Sequence, residues 1–142
     1  MAQTTTAAAP GDTAKPVSAL IWPVVAAWII PGGGHFLQRR LGRGALLLAS
    51  VGLMFVFGLL MRGMMFMPEK GDVLTTLINY GGFICDIASG ALYFVATVVG
   101  GYAAPDLPGD VHDYGTKFLV TAGLLNILAM VDAYEIASGK KD

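Results

Sequence analysis

Asp86 lies in the middle of an apolar run from Leu77 to Tyr102. A carboxylate at the centre of a membrane helix costs about 2.5–3.5 kcal/mol on insertion scales, so it must face protein and find a partner or a proton. Two roles suit it. One is a proton or cation relay with Asn79, Ser89 and Tyr93 as neighbours; the other is a structural carboxyl bonded to another helix or subunit. At about 100° per residue, Asn79, Gly82, Asp86, Ser89, Tyr93, Thr97 and Gly100 fall on one narrow face. Phe83, Ile84, Ile87, Phe94, Val95 and Val98 fall on the other sides. Lipid takes the apolar sides, so the small and polar stripe is expected to meet protein.

Asp132 and Glu135, three residues apart on a helix, share a second face. Paired carboxylates bind metals or shuttle protons; near a helix end they also sit at headgroup level and pair with Arg62 or the terminal lysines. His35 and His112 are expected on one side of the membrane, in the first and third loops. Two imidazoles close to Asp110 or Asp113 could ligate a metal or haem, though no spacing within one element fixes them there. Met61, Met64, Met65 and Met67 could offer soft thioethers to copper(I), or simply pack adaptably at an interface. Gly32 to Gly34 is no phosphate loop, because neither the Lys-Ser/Thr signature nor a preceding strand accompanies it. No Ser-His-Asp set and no zinc spacing is present. The expectation is a protein without catalytic site, metal or cofactor, hence not an enzyme.

The elements that position these residues follow from hydropathy. Of 142 residues 55% are hydrophobic and 13% charged, and the mean hydropathy is +0.64. A soluble domain carries about 25% charged residues, so this chain lacks the groups that solvate a surface. A net charge of −1 gives no footprint for nucleic acid. Cys85 alone can form no internal disulfide. Four apolar runs, about 17–37, 44–61, 77–102 and 117–137, predict an all-α polytopic integral membrane protein, four transmembrane helices in a compact bundle. Residues 1–16, rich in Ala, Thr and Pro, read as a disordered tail, and 139–142 as a short C-terminal one. A cleaved signal peptide over 1–34 is the weaker reading, since Lys15 is the sole basic residue before the apolar run and no small-x-small site follows it.

Val17 to Ile30 would span only about 21 Å. That first segment needs the extension to Leu37, a thinner bilayer or a re-entrant course. Pro23 is expected to kink it. Ala45 and Ala49 offer the second run a ridge for close helix packing. Four spans place both termini on one side and the basic turn of His35, Arg39, Arg40 and Arg43 on the other. The flanks of the first helix favour that turn inside and the termini outside. No internal repeat and no soluble domain is legible.

The run Pro31-Gly32-Gly33-Gly34-His35-Phe36, followed by Arg39, Arg40, Arg43-Gly44 and an apolar helix, resembles the two-transmembrane (TM-two) domain family. It looks most like small, uncharacterised bacterial membrane proteins related to that family, and the close Val131-Asp132-Ala133-Tyr134 is similar too. Leu37-Gln38 and four spans in place of two depart from the pattern. The resemblance implies a membrane hairpin and carries over no active-site residue. The function expected is a structural or accessory subunit, or an oligomer, of a cytoplasmic membrane. Its partners would be the lipid bilayer and other membrane subunits or itself. The alternative is a small proton or ion transporter or channel using Asp86.

Overall fold

The computed structural model describes residues 16–102 and 109–141. The expected N-terminal tail, apart from Pro16, and the turn at Pro105 and Pro108 lie outside them. Every regular element among the described residues is helical: α1 (Val17–Ile29), α2 (Gly33–Leu37), α3 (Leu41–Leu60), α4 (Val73–Ala88), α5 (Ala91–Phe94), continued by a π-helical turn over Val95–Val99, and α6 (Asp110–Ser138).

α3 and α6, at 20 and 29 residues, are each long and apolar enough to cross a membrane. They pack along each other in opposite directions. Arg43, at the start of α3, lies 4.0 Å from Asp132 near the end of α6, whereas Gly58 and Gly63 at the far end of α3 abut Gly115 and Leu119. The close approach needs the glycines, because a Cβ on Gly58 or Gly63 would run into the opposing helix. Val51, Phe55, Met65, Ala96, Leu119 and Ala122 fill the core between them.

The other two apolar runs break. α1 has only 13 residues and rises about 20 Å. Its last turn reaches the middle of α6, where the Trp28 carbonyl lies 3.5 Å from Asn126 Nδ2. Gly32, at φ +79, then turns the chain, and α2 runs back toward the C-terminal end of α6. There Gln38 Nε2 donates to the Ala133 carbonyl at 2.7 Å. Gly33 and Gly34 allow α2 to lie directly on the backbone of α1 at Ala26 and Pro23. These contacts fold the first segment back on itself at Gly32 instead of extending it as one helix to Leu37.

The third run does not form one helix over 77–102. α4 ends at Ala88, and α5 with its π turn leaves at 98° to it. Gly90 makes the corner at φ +65 and ψ −130, backbone that only glycine adopts readily. It sits against the carbonyls of Trp28 and Ile29, where a Cβ would overlap them. The chain then returns to the end it came from, since the Tyr102 hydroxyl donates to the Gly63 carbonyl at 2.6 Å. The expected continuous stripe is therefore split: Asn79, Gly82 and Asp86 belong to α4, Ser89 to its cap, and Tyr93 and Thr97 to the returning arm.

Both halves of the chain share one order: a helix, a glycine-containing break, a short helix, then a long one. The basic turn and the end of α6 lie together, which corrects the expectation that the turn and the C-terminus occupy opposite faces. That expectation assumed a full crossing by the first segment, and α1 is too short for one. A Gly90→Ala variant is expected to lose about 2 kcal/mol or more of stability, from left-handed strain and overlap with Trp28. Gly81→Ala, at a helical position with open space around it, should shift stability by less than about 1 kcal/mol. Thermal unfolding in mild detergent reads both.

Candidate functional site: a buried carboxylate and a nearby cavity

The two broken helices meet tip to tip. Both α1 and α4 direct their C-terminal ends, which carry unpaired carbonyls, at the same point beside α6. Asn126, fully buried, donates from Nδ2 to the Ala88 carbonyl at 2.8 Å and toward Trp28. The Trp28 indole in turn donates to the Ile87 carbonyl at 3.1 Å, and its ring meets Phe94 edge-on. Ser89 Oγ donates to the Asp86 carbonyl at 2.5 Å. Four carbonyls at the tips are thus bonded by side chains.

Asp86 stands in the last turn of α4 and is 1% exposed. Its Oδ2 accepts the Phe66 backbone N–H at 2.6 Å. Its Oδ1 is buried without a hydrogen-bond partner among the described residues. Gly82, one turn earlier, leaves room for the Phe66 ring, so the loop after α3 folds down onto this face of α4.

Phe66 also lines a cavity of about 350 Å³. Asn79, Tyr93 and Thr97 line it, together with Met64, Met65, Met67, Glu69 and Tyr102. Asn79 Nδ2 donates to the Glu69 carbonyl at 3.3 Å, and Thr97 Oγ1 donates to the Tyr93 carbonyl at 2.8 Å. Three stripe residues therefore line a cavity whose Phe66 wall holds the fourth, Asp86. The methionines pack here: Met65 is buried in the core, and Met64 and Met67 are partly open.

A second polar group closes the opposite end. His35, fully buried on α2, is bonded through Nε2 to Asp132 Oδ2 at 2.8 Å. Lys141 Nζ donates to Asp132 Oδ1 at 2.5 Å and lies 3.7 Å from Glu135. Asp132 thus gathers His35, Lys141 and, at 4.0 Å, Arg43. It ties the basic turn to the last helix. Arg39 carries positive φ in the same turn, and Arg40 precedes α3. His35 was missed as Asp132's partner, since the pairing links residues 97 apart.

His35 and His112 do not share a side. His112 Nδ1 lies 2.5 Å from the Arg62 carbonyl at the start of α6, about 30 Å along that helix from Asp132. The same separation removes Arg62 as a partner for Asp132 and Glu135. Among the described residues, no three His, Cys, Asp or Glu side chains are placed to hold a metal ion.

A model of a family of unknown function, DUF6677, matches residues 22–142. The chain belongs to that family. No curated protein and no solved structure matches it. The DUF6677 match takes in both hairpin breaks, the cavity and the Asp132 cluster.

Lys141 titrates above its ordinary value of 10.5, held there by its hydrogen bond to Asp132 and by that carboxylate's charge. A raised lysine value means the link is fully present below 10.5 and is lost as pH rises through the higher folded value. A spin label near the C-terminus should therefore stay ordered through neutral pH and loosen only in strong alkali. In Lys141→Ala it should be mobile at every pH.

Proposed function

We propose that this protein is a multi-pass protein of the cell membrane that moves a proton or small cation by way of Asp86. In this reading α3 and α6 cross the bilayer, while α1–α2 and α4–α5 enter from opposite faces and meet midway, in place of four complete spans. Transporters are commonly built of broken helices whose ends meet at mid-membrane around the ion site, in repeats of inverted topology. The observation that carries the proposal is Asp86, buried with one oxygen unpaired and bonded to the backbone of Phe66, which lines a cavity together with polar members of the same stripe. An ionisable group kept inside an apolar layer is retained at a cost, which favours a working role.

Orientation follows from charge. The face with the basic turn and the C-terminus carries Arg39, Arg40, Arg43, Lys140 and Lys141; the other carries Arg62, Lys70 and Lys117. Five against three among the described residues favours the former inside the cell. The TM-two resemblance to small bacterial membrane proteins fits this arrangement, since its turn and its closing aspartate are the two partners His35 and Asp132 join.

A second reading, a structural or accessory subunit acting through helix contacts, draws on the absence of any domain outside the helices among the described residues. The stripe on α4 does not call for a second subunit, because it is engaged within the chain: Gly82 by Phe66, Asp86 by the Phe66 N–H. Liposome reconstitution separates the two. Under a pH or potassium gradient, the wild type should carry ion flux and Asp86→Asn should fall to the level of protein-free vesicles with its thermal stability retained. Equal flux in both, at the empty-vesicle level, removes the transport reading and leaves the accessory one.

A further inference from the structure

We infer that the cavity beside Asp86 is a binding site for a lipophilic organic cation, one whose positive charge is spread over or screened by apolar groups. The inference deepens the translocation reading by naming the substrate class, and it rests on that reading for its link to transport. Its grounds are the size, the wall chemistry and the charge of the cavity.

At about 350 Å³ the cavity is within the range that takes a small organic molecule and is far larger than a bare ion needs. Its wall is mostly thioether and aromatic: Met64, Met65, Met67, Phe66, Tyr93 and Tyr102. Six of the nine lining residues are thioether or aromatic, a wall better matched to apolar groups than to the oxygen shell that a small inorganic cation takes. Aromatic faces attract quaternary and similar cations through the ring quadrupole. Flexible methionines adapt their shape to apolar groups of differing outline. Among the residues lining the cavity, Glu69 is the sole one charged at neutral pH, and its sign is negative.

Asn79 and Asp86 are two turns apart on one face of α4, and Phe66, which lines the cavity with Asn79, donates its backbone N–H to the Asp86 carboxylate.

The test uses the full chain in mild detergent, with tetraphenylphosphonium as the probe and neutral triphenylphosphine oxide as its uncharged control, in equilibrium dialysis. Saturable binding of the phosphonium near one per chain is expected, with the neutral control bound far more weakly. Glu69→Gln, a change on an exposed loop that spares the core, should weaken the phosphonium by roughly tenfold. Equal binding of cation and neutral control, or binding untouched by Glu69→Gln, overturns the inference. So does copper(I) occupying the site and displacing the phosphonium, which would make the methionines metal ligands. The two proposals fail separately. Asp86-dependent proton flux with no phosphonium binding removes the organic cation and leaves the proton. Charge-selective binding without any Asp86-dependent flux keeps the site and removes translocation.

Discussion

A helix that stops inside an apolar layer leaves its last carbonyls with no water to accept from. This chain stops two apolar helices side by side against α6, at Ile29 and Ala88, and side chains of the rest of the structure meet their last carbonyls. Asn126 reaches both ends from α6, and the Trp28 indole serves the other hairpin's Ile87 carbonyl. Each tip is thus capped partly by the opposite half of the chain.

That mutual capping explains the distribution of glycine. Gly90 permits the corner and lets the α4–α5 arm touch the Trp28 backbone; Gly123 lets α4 lie on α6 at Cys85. Small residues here substitute for the hydrophobic drive that lipid cannot provide between helices. The polar groups fall at three depths along α6. Asp132 binds His35 near its C-terminal end, Asn126 serves the tips, and Thr116 accepts the Met64 N–H near its start. Among the described residues, the buried carboxylate oxygen without a hydrogen-bond partner is Asp86 Oδ1, on α4.

Much of this was legible in the residues. Helicity, the membrane setting and the extent of α3 follow from apolar runs bounded by charge. Asp86 stands out because its neighbours are apolar. The course of the chain was harder to read. Ser89-Gly90 looks like an ordinary small pair in a long apolar run, and its positive φ depends on contact with Trp28, 62 residues earlier. Continuing a helical wheel through that corner placed Tyr93 and Thr97 beside Asp86 on a single face. In fact they reach the same cavity from a separate arm. The shared order of the two halves was likewise hidden, because the repeated feature is a break and a reversal rather than a string of letters. His35 and Asp132 each belonged to a recognisable motif, yet no periodicity connects an early turn to the last helix.

The central claim is that α1–α2 and α4–α5 turn back within the bilayer. Labelling with a membrane-impermeant maleimide in sealed vesicles of known orientation tests it most directly, using Val17→Cys, Arg39→Cys, Lys70→Cys and Lys140→Cys in a Cys85→Ala background. Positions 17, 39 and 140 should react from one face and position 70 from the other. Reaction of 17 from the face opposite 39 would mean that the first segment crosses completely, reaction of 140 together with 70 that the third does, and either would contradict the account.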